Sequence, residues 1–494
     1  MTGLLNLSKL NRTEKLKLLK VLKEKERRRL TQNFWAFCVY MDSGFFTLTK
    51  PHLQLIAAVY QFVADKLLFK VLLSMPPRAG KSYITSMFCA WMIGKFQEGI
   101  IMRNSYSGDL ASKFSYDIRE IVRSPKFHRI FPEVKIKSDK RALDDWAVEG
   151  SPQTTYFCAG VMGSLTGKGC DLLAILDDPI KNLDVALSPT QIDKINGWVE
   201  SVHNSRMEKN CPQIHIATRW TKRDPIGEIK RKFGSVSFDV FLENPEKHKN
   251  SWVEIVIPAL DEEGNTFCDE IKSTEQYDEI RQSIGSFIWS ALYMQRPVDI
   301  EGLAFPESSL QMFTQEEFDK FDKSKNNTWD ATVGYCDTAD EGGDHLVSVI
   351  AKLKGQFAYL YSVIYTLEPI EVSEPRVAQQ IIDTKCDHFT IESNAGGKSF
   401  AKNVRKLINK KSRCTIRDID NTSNKDTRII MKGGTVRRFF KFKKDVKNDS
   451  EYREYFNELT NYVLLSKKRD DAPDATVGLA EALDRPKLEA VERL

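Results

Sequence analysis

The 494-residue sequence has no C-x-x-C pair among its nine cysteines, which are scattered from Cys38 to Cys414. That excludes a zinc-ribbon module and offers no disulfide framework, so a reduced intracellular protein is expected. No apolar run is long enough to span a bilayer, and the N-terminus lacks an apolar signal-type segment. No repeat with a period of about 20 to 50 residues is present, which argues against solenoids and propellers. An excess of one charge is also missing. With 73 basic and 68 acidic residues the net charge is +5, so any case for nucleic acid must be local. A soluble chain with no membrane partner is expected, long enough for roughly two or three domains.

What is present is organised around Val71 to Gly94, VLLSMPPRAGKSYITSMFCAWMIG. A short apolar run breaks at Pro76-Pro77, passes through Ala79-Gly80-Lys81-Ser82, and continues with helical spacing at Ile84, Met87, Phe88 and Trp91. Strand, tight turn and helix opening on Gly-Lys-Ser is the layout of a phosphate-binding loop. In the turn Pro77-Arg78-Ala79-Gly80, backbone N–H groups from Arg78 onward would face the anion, Lys81 would neutralise phosphate charge, and Ser82 would hold Mg²⁺. The first glycine of the usual pattern is replaced by Met75. Upstream, Arg12 to Leu30 is expected to be one charged, exposed helix, and another helix starts at Pro51-His52-Leu53-Gln54. There His52 or Gln54 is placed either to contact an adenine edge or to cap the helix.

Downstream, Gly99 to Met102 reads as a strand, followed by a helix bearing Arg119 and Arg123. The Gly-rich Val161 to Gly169 leads into Asp171-Leu172-Leu173-Ala174-Ile175-Leu176-Asp177-Asp178. An apolar strand ending in paired acids suits a Mg-ATP site, with Asp177 in the Mg²⁺ shell and Asp178 orienting or deprotonating the attacking water. Gln213 to Ala217 is a further strand, and Thr218-Arg219-Trp220 at its end is placed to sense the γ-phosphate. Alternating strands and helices imply a parallel, doubly wound α/β sheet.

The last third carries acids at the ends of apolar runs: Asp337 after Thr332 to Cys336, and Glu392 after His388 to Ile391. Asp340, Glu341 and Asp344 lie in a Gly-rich turn between them. Asp471 and Asp474 open a C-terminal helix at i, i+3 spacing and so share one face. Such acids, if convergent, could hold two Mg²⁺ or Mn²⁺ ions through oxygen ligands and support phosphodiester cleavage. The chain between Glu392 and this helix is rich in lysine and arginine from Lys402 to Lys447, read either as a phosphate-backbone footprint or as a solvated basic face.

Together, MPPRAGKS, LTGKGCDLLAILDDPIKN and IATRW resemble the ATPase motor of the large terminase subunit of tailed bacteriophages. Phe287 to Pro297, followed by Glu301-Gly302, resembles that family's junction between motor and nuclease. With an N-terminal helical segment expected over 1–48, the resemblance, which covers most of the chain from about Pro51 onward, implies a P-loop ATPase core over 49–250, a linker subdomain over 251–325 and an RNase H-like nuclease over 326–494. Asp337, Glu392 and the Asp471/Asp474 pair match the family's nuclease acids, and Asn424 to Ile429 resembles its Lys-and-Arg element. The resemblance also implies ATP and Mg²⁺ (or Mn²⁺ at the nuclease) as cofactors. The partners would be double-stranded DNA, a portal protein and a small subunit. A homo-oligomeric ring in the host cytoplasm, transiently on a procapsid, would be the working form. Arg78 would complete the ATPase site within its own subunit, and Lys168 would be a weaker contact to a neighbour's nucleotide. A helicase-like translocase, a transposase-like nuclease and a non-enzymatic virion protein remain the competing readings.

Overall fold

The structure is a computed structural model that describes residues 11–165, 167–298, 303–322, 328–338, 344–393, 397–421, 424–446, 448–464 and 469–484. Thr166, Glu301, Gly302, Asp340, Glu341 and Lys447 lie outside the described residues. The chain forms two compact units, one of Met1–Tyr277 with Ser290–Val298, the other of Asp278–Trp289 with Asp299–Leu494. Both are mixed α/β, with sheets rich in parallel strands.

The first unit holds a nine-stranded sheet. Its strands are β1 (Lys70–Ser74), β2 (Ile101–Ser105), β3 (Ile136–Arg141), β4 (Asp145–Val148) and β5 (Tyr156–Gly160). The others are β6 (Leu173–Asp177), β7 (Gln213–Ala217), β8 (Val236–Ser237) and β9 (Trp252–Val256). The order is β3-β4-β5-β2-β6-β7-β1-β9-β8, parallel throughout except for the antiparallel edge at β3 and β4. The expected strand at Gly99 to Met102 begins two residues later and runs on through Arg103 and Asn104 to Ser105. Strand β9 pairs with β1, so the sheet extends past residue 250.

Strands β1 and β6 are buried along almost their whole length, as parallel strands covered on both faces must be, which is why they read as unbroken apolar runs. Three helices matter for the site: α1 (Pro51–Ala64), α2 (Lys81–Phe96) and α3 (Gly108–Arg123). Helix α2 is buried nearly all round and belongs to the core with Trp91, Phe88 and Phe34. The charged N-terminal helix, Arg12–Gln32, exposes Leu16, Leu19 and Leu22 and pairs Glu24 and Glu26 with its own Arg27, Arg28 and Arg29.

The second unit holds a seven-stranded sheet. Its strands are β10 (Gln311–Phe313), β11 (Ala331–Asp337), β12 (Leu346–Lys354) and β13 (Phe357–Thr366). They are joined by β14 (His388–Glu392), β15 (Thr415–Ile419) and β16 (Phe440–Lys443), in the order β10-β16-β13-β12-β11-β14-β15. Strands β11, β12 and β13 form an antiparallel meander, and β14 and β15 add parallel to β11. The helices are α4 (Ile370–Asp383), α5 (Gly397–Ile408), α6 (Lys425–Phe439), α7 (Ser450–Asn461) and α8 (Asp471–Asp484). Helix α8 lies against β11 because Gly478 has no side chain: a Cβ there would sit 2.3 Å from the Tyr335 ring.

Candidate nucleotide and metal centres

At the carboxyl edge of the first sheet, β1, β7 and β6 are consecutive neighbours, so their end-loops meet. The turn after β1 reverses through left-handed backbone at Arg78 (φ 62°) and Gly80 (φ 90°). Glycine suits the second position, where a Cβ would press to 3.0 Å on the Phe45 ring. Helix α2 then begins at Lys81 with no side-chain cap, which leaves its first N–H groups free for an anion.

Lys81 is buried, and its Nζ donates to Thr218 Oγ1 at 3.0 Å and pairs with Asp178 Oδ2 at 3.0 Å. Asp178, itself in left-handed backbone (φ 46°), accepts the Thr218 N–H on its other oxygen at 2.9 Å. Ser82 Oγ donates to Asp177 Oδ1 at 3.4 Å. The structure thus brings Lys81, Ser82, Asp177, Asp178 and Thr218 together. Pro77 and Ala79 line the turn, and Arg78 is exposed on it.

Arg103 joins the site without a signal in the sequence. It lies fully buried on β2 and holds Asp177 Oδ2 through Nη2 at 2.5 Å and Nε at 3.2 Å. It also donates to Ser86 Oγ and the Ser82 carbonyl, and stacks 4.0 Å above the Phe114 ring. Burial pushes the Asp177 pKa up, and the Arg103 guanidinium opposes that rise.

The Thr218-Arg219-Trp220 triplet is wired as well as placed. The Arg219 side chain grips Asp224, and its backbone N–H donates to Gln295 Oε1 at 3.1 Å. Gln54 gives its amide to the Leu48 carbonyl at 3.1 Å. His52 is buried, with Nε2 at 3.2 Å from the Ala79 carbonyl of the phosphate loop. Lys168 pairs with Asp145 of its own chain at 2.6 Å.

In the second unit, Asp337 ends β11 and Glu392 ends its parallel neighbour β14, so the sheet register alone puts both at one edge. Asp474 reaches them from α8, one turn before the close approach at Gly478. The three carboxylates each offer an oxygen within 4.8 Å of the others. Tyr335 donates to Glu392 Oε2 at 2.6 Å, and Arg428 of α6 lies 2.9 Å from Asp474 Oδ1. Lys425 stands 3.5 Å from Asp474 Oδ2. Apart from these two ion pairs, the buried Asp474 oxygens accept no hydrogen bond. Burial, with Glu392 and Asp470 nearby, pushes the Asp474 pKa up to about 6, against the pull of Arg428 and Lys425. Burial, Asp474 and Glu392 push Asp337 well above the usual carboxylate range. Three crowded buried acids faced by only two basic residues fit a divalent cation, which would supply the remaining positive charge.

Asp471, expected beside Asp474 in that set, turns instead to His345 and Glu458. It is the first residue of α8 and accepts the His345 N–H at 3.0 Å. The basic stretch is also divided by packing. Arg405, Lys432, Lys441 and Lys443 pair with Asp418, Asp484, Glu317 and Asp449, and Arg428 with Asp474 and Glu481. Lys402, Lys406, Lys410, Lys411, Arg413 and Arg417 remain exposed around α5 and β15. All nine cysteines are free, and among the described residues no helix is long and apolar enough to cross a membrane.

Residues 336–435 match the family model of the terminase ribonuclease H-like domain of bacteriophage T7 type. Comparison with curated proteins gives no match in sequence. Among solved structures, the chain is similar to the large terminase of a thermophilic bacteriophage, at 13% identity. That likeness covers 85% of this chain and 95% of the phage protein, with a TM-score of 0.46. The nuclease domain of the large terminase subunit of bacterial virus Sf6 is similar at 14% identity, over 38% of this chain and 100% of its own, with a TM-score of 0.27. The human cytomegalovirus terminase nuclease domain is similar at 16% identity, over 35% of this chain and 94% of its own, with a TM-score of 0.26.

Proposed function

From a chain that carries a terminase ribonuclease H-like domain over residues 336–435, we propose a viral genome-packaging motor subunit with two chemistries. The first unit hydrolyses ATP to translocate double-stranded DNA into a procapsid, and the second cuts concatemeric DNA. The observation that carries the nuclease reading is the convergence of Asp337, Glu392 and Asp474, their carboxylate oxygens within 4.8 Å of one another, inside and beside the matched domain.

In the ATPase, phosphate entering the turn at Arg78 to Ser82 meets the open N–H groups of α2. It draws the Lys81 ammonium away from Asp178 and Thr218. Releasing Asp178 Oδ2 frees a carboxylate oxygen to accept a proton from, or orient, the attacking water. Arg103 fixes Asp177 so that its other oxygen, Oδ1, stays directed at Ser82, the two residues that would hold Mg²⁺. Loss of the Lys81 bond to Thr218 is felt along Arg219 as far as Gln295, a path by which nucleotide state can leave the site. Arg78, exposed on the turn, serves the γ-phosphate of its own subunit, where a guanidinium is worth roughly 10³ to 10⁵ in rate. Lys168 is the weaker contact to a neighbour in a ring.

In the nuclease, Asp337, Glu392 and Asp474 would hold Mg²⁺ or Mn²⁺, which supplies an activated water and stabilises the leaving oxygen. Tyr335 orients Glu392, and Arg428 and Lys425 oppose the rise that burial imposes on Asp474. Portal protein and small subunit are the partners this reading implies, and the host cytoplasm is its location. The purified chain should hydrolyse ATP and cut supercoiled plasmid with Mg²⁺ or Mn²⁺, cutting being lost in chelator. ATP-driven movement along duplex without any cutting would favour a helicase-like translocase. Neither activity would leave a virion structural role.

A further inference from the structure

Beside the nuclease acids the second unit holds another cluster, drawn from three elements. His345 immediately precedes β12, Glu458 lies on α7, and Asp471 opens α8. Each offers one ligand atom, and the three atoms lie within 4.8 Å of one another. His345 is only 8% exposed, and its Nδ1 is buried with no hydrogen-bond partner, 3.5 Å from Asp471 Oδ2. A lone pair or N–H sealed from water and unpaired is costly, so this nitrogen marks a missing partner.

The surrounding groups hold all three residues in place. The imidazole stacks on the Tyr365 ring, with 4.1 Å between centroids and 18° between planes. The Tyr365 hydroxyl donates to Glu458 Oε2, and the Ala472 N–H donates to Glu458 Oε1 at 2.8 Å. The backbone N–H of His345 donates to Asp471 Oδ2 at 3.0 Å. Donors that fix ligand orientation from behind are the usual support of a metal centre. They leave His345 Nδ1 as the group that nothing satisfies.

We propose that His345, Glu458 and Asp471 form a second cation site, separate from the Asp337/Glu392/Asp474 centre and selective for a transition metal such as Zn²⁺ or Co²⁺. An imidazole nitrogen with two carboxylates suits those ions, whereas Mg²⁺ prefers oxygen ligands alone. Metal–ligand bonds of about 2.0 to 2.2 Å are reached by small side-chain rotations from the spacing present. Such an ion ties β12, α7 and the first residue of α8 together, one turn from Asp474. Its role is to set the position of the helix that carries Asp474.

The test uses the full chain, stripped with chelator and titrated with Co²⁺ as a spectroscopic probe. Wild type and Asp337→Asn should both develop the intense visible bands of nitrogen-ligated cobalt at low coordination number. His345→Gln and Glu458→Gln should lose those bands. Tyr365→Phe, which removes only a supporting hydrogen bond, should weaken uptake by roughly 10- to 100-fold. Glu458→Gln keeps an acceptor for the Ala472 N–H, so it controls for folding, checked by circular dichroism. Zn²⁺ should raise the melting temperature of wild type and Asp337→Asn but not of Glu458→Gln. Absence of the bands in folded wild type, or equal bands in His345→Gln, overturns the site. Loss of the bands in Asp337→Asn would assign the histidine to the nuclease centre and overturn its separateness.

Discussion

Arg103 and Asp177 form a fully buried ion pair, Nη2 to Oδ2 at 2.5 Å, between adjacent parallel strands at the edge where the phosphate loop opens. Deleting one partner of such a pair leaves an uncompensated charge in the core, which costs about 3 to 5 kcal/mol. Arg103→Met should therefore destabilise the first unit by about that amount and abolish ATP hydrolysis. The double variant Arg103→Met/Asp177→Leu should recover much of the stability and none of the activity. Denaturant titration of the single and double variants checks this, and equal stabilities would remove the pair from the account.

Gly478 makes the second centre possible. Its missing Cβ is what admits the Tyr335 ring, and Asp474 lies one helical turn earlier. Gly478→Ala should force α8 off β11, cost about 1 to 3 kcal/mol through overpacking, and reduce cleavage more than DNA binding. Cleavage at the wild-type rate would show that the helix has room to spare.

Buried histidines contribute to the acid tolerance of the first unit, His52 among them, pushed down to about 4 chiefly by burial. Burial pushes His203 down to about 4, and burial with His203 close by pushes His215 down to about 3. In the unfolded chain all three titrate near about 6.5. Above that pH neither state binds the proton, and the stability is fully present. As pH falls below it, the unfolded chain takes up protons that the fold excludes, so stability drops until the folded pKa values are reached. At pH 5 the loss should be about 2 kcal/mol for each histidine. Urea midpoints at pH 7 and pH 5 measure it, and His215→Phe should lessen the difference. An unchanged difference would exclude His215 as its source.

The exposed part of the basic stretch is smaller than the sequence implies. Reversing Lys410 and Lys411 to Glu should flatten the log-log salt dependence of DNA affinity by about 0.9 for each phosphate that is no longer neutralised. The same reversal at Lys432 and Lys443, which pair within the unit, should chiefly destabilise the protein. Equal salt slopes for wild type and the Lys410/Lys411 reversal would make that face a merely solvated one.

These contrasts show what a sequence carries and what it does not. Lys81, Ser82 and Asp177 were legible because strand, turn and helix follow one another locally, and because buried parallel strands read as apolar runs. Asp337 and Glu392 were legible for the same reason, each ending an apolar strand. Arg103 was not, since an arginine in a short strand carries no sign that its partner lies on β6. His345 and Glu458 escaped for a similar reason: they sit 126 and 13 residues from Asp471, and only the packing of α7, α8 and β12 joins them. The i, i+3 spacing of Asp471 and Asp474 gave the right face but the wrong grouping. At the first position of α8, Asp471 turns to the His345 N–H, while Asp474 points at the β11 edge. The summed charge from Lys402 to Lys447 likewise could not reveal which side chains find carboxylates within the unit.

The proposed function requires two independent active centres in one chain, and a comparison of plasmid cutting and ATP hydrolysis in two variants tests it. Lys81→Ala should lose ATP hydrolysis and still cut plasmid in Mg²⁺ or Mn²⁺. Asp337→Ala should hydrolyse ATP at the wild-type rate and cut nothing. If Asp337→Ala cuts plasmid like wild type, or if Lys81→Ala abolishes cutting with the protein still folded, the two-centre account is contradicted.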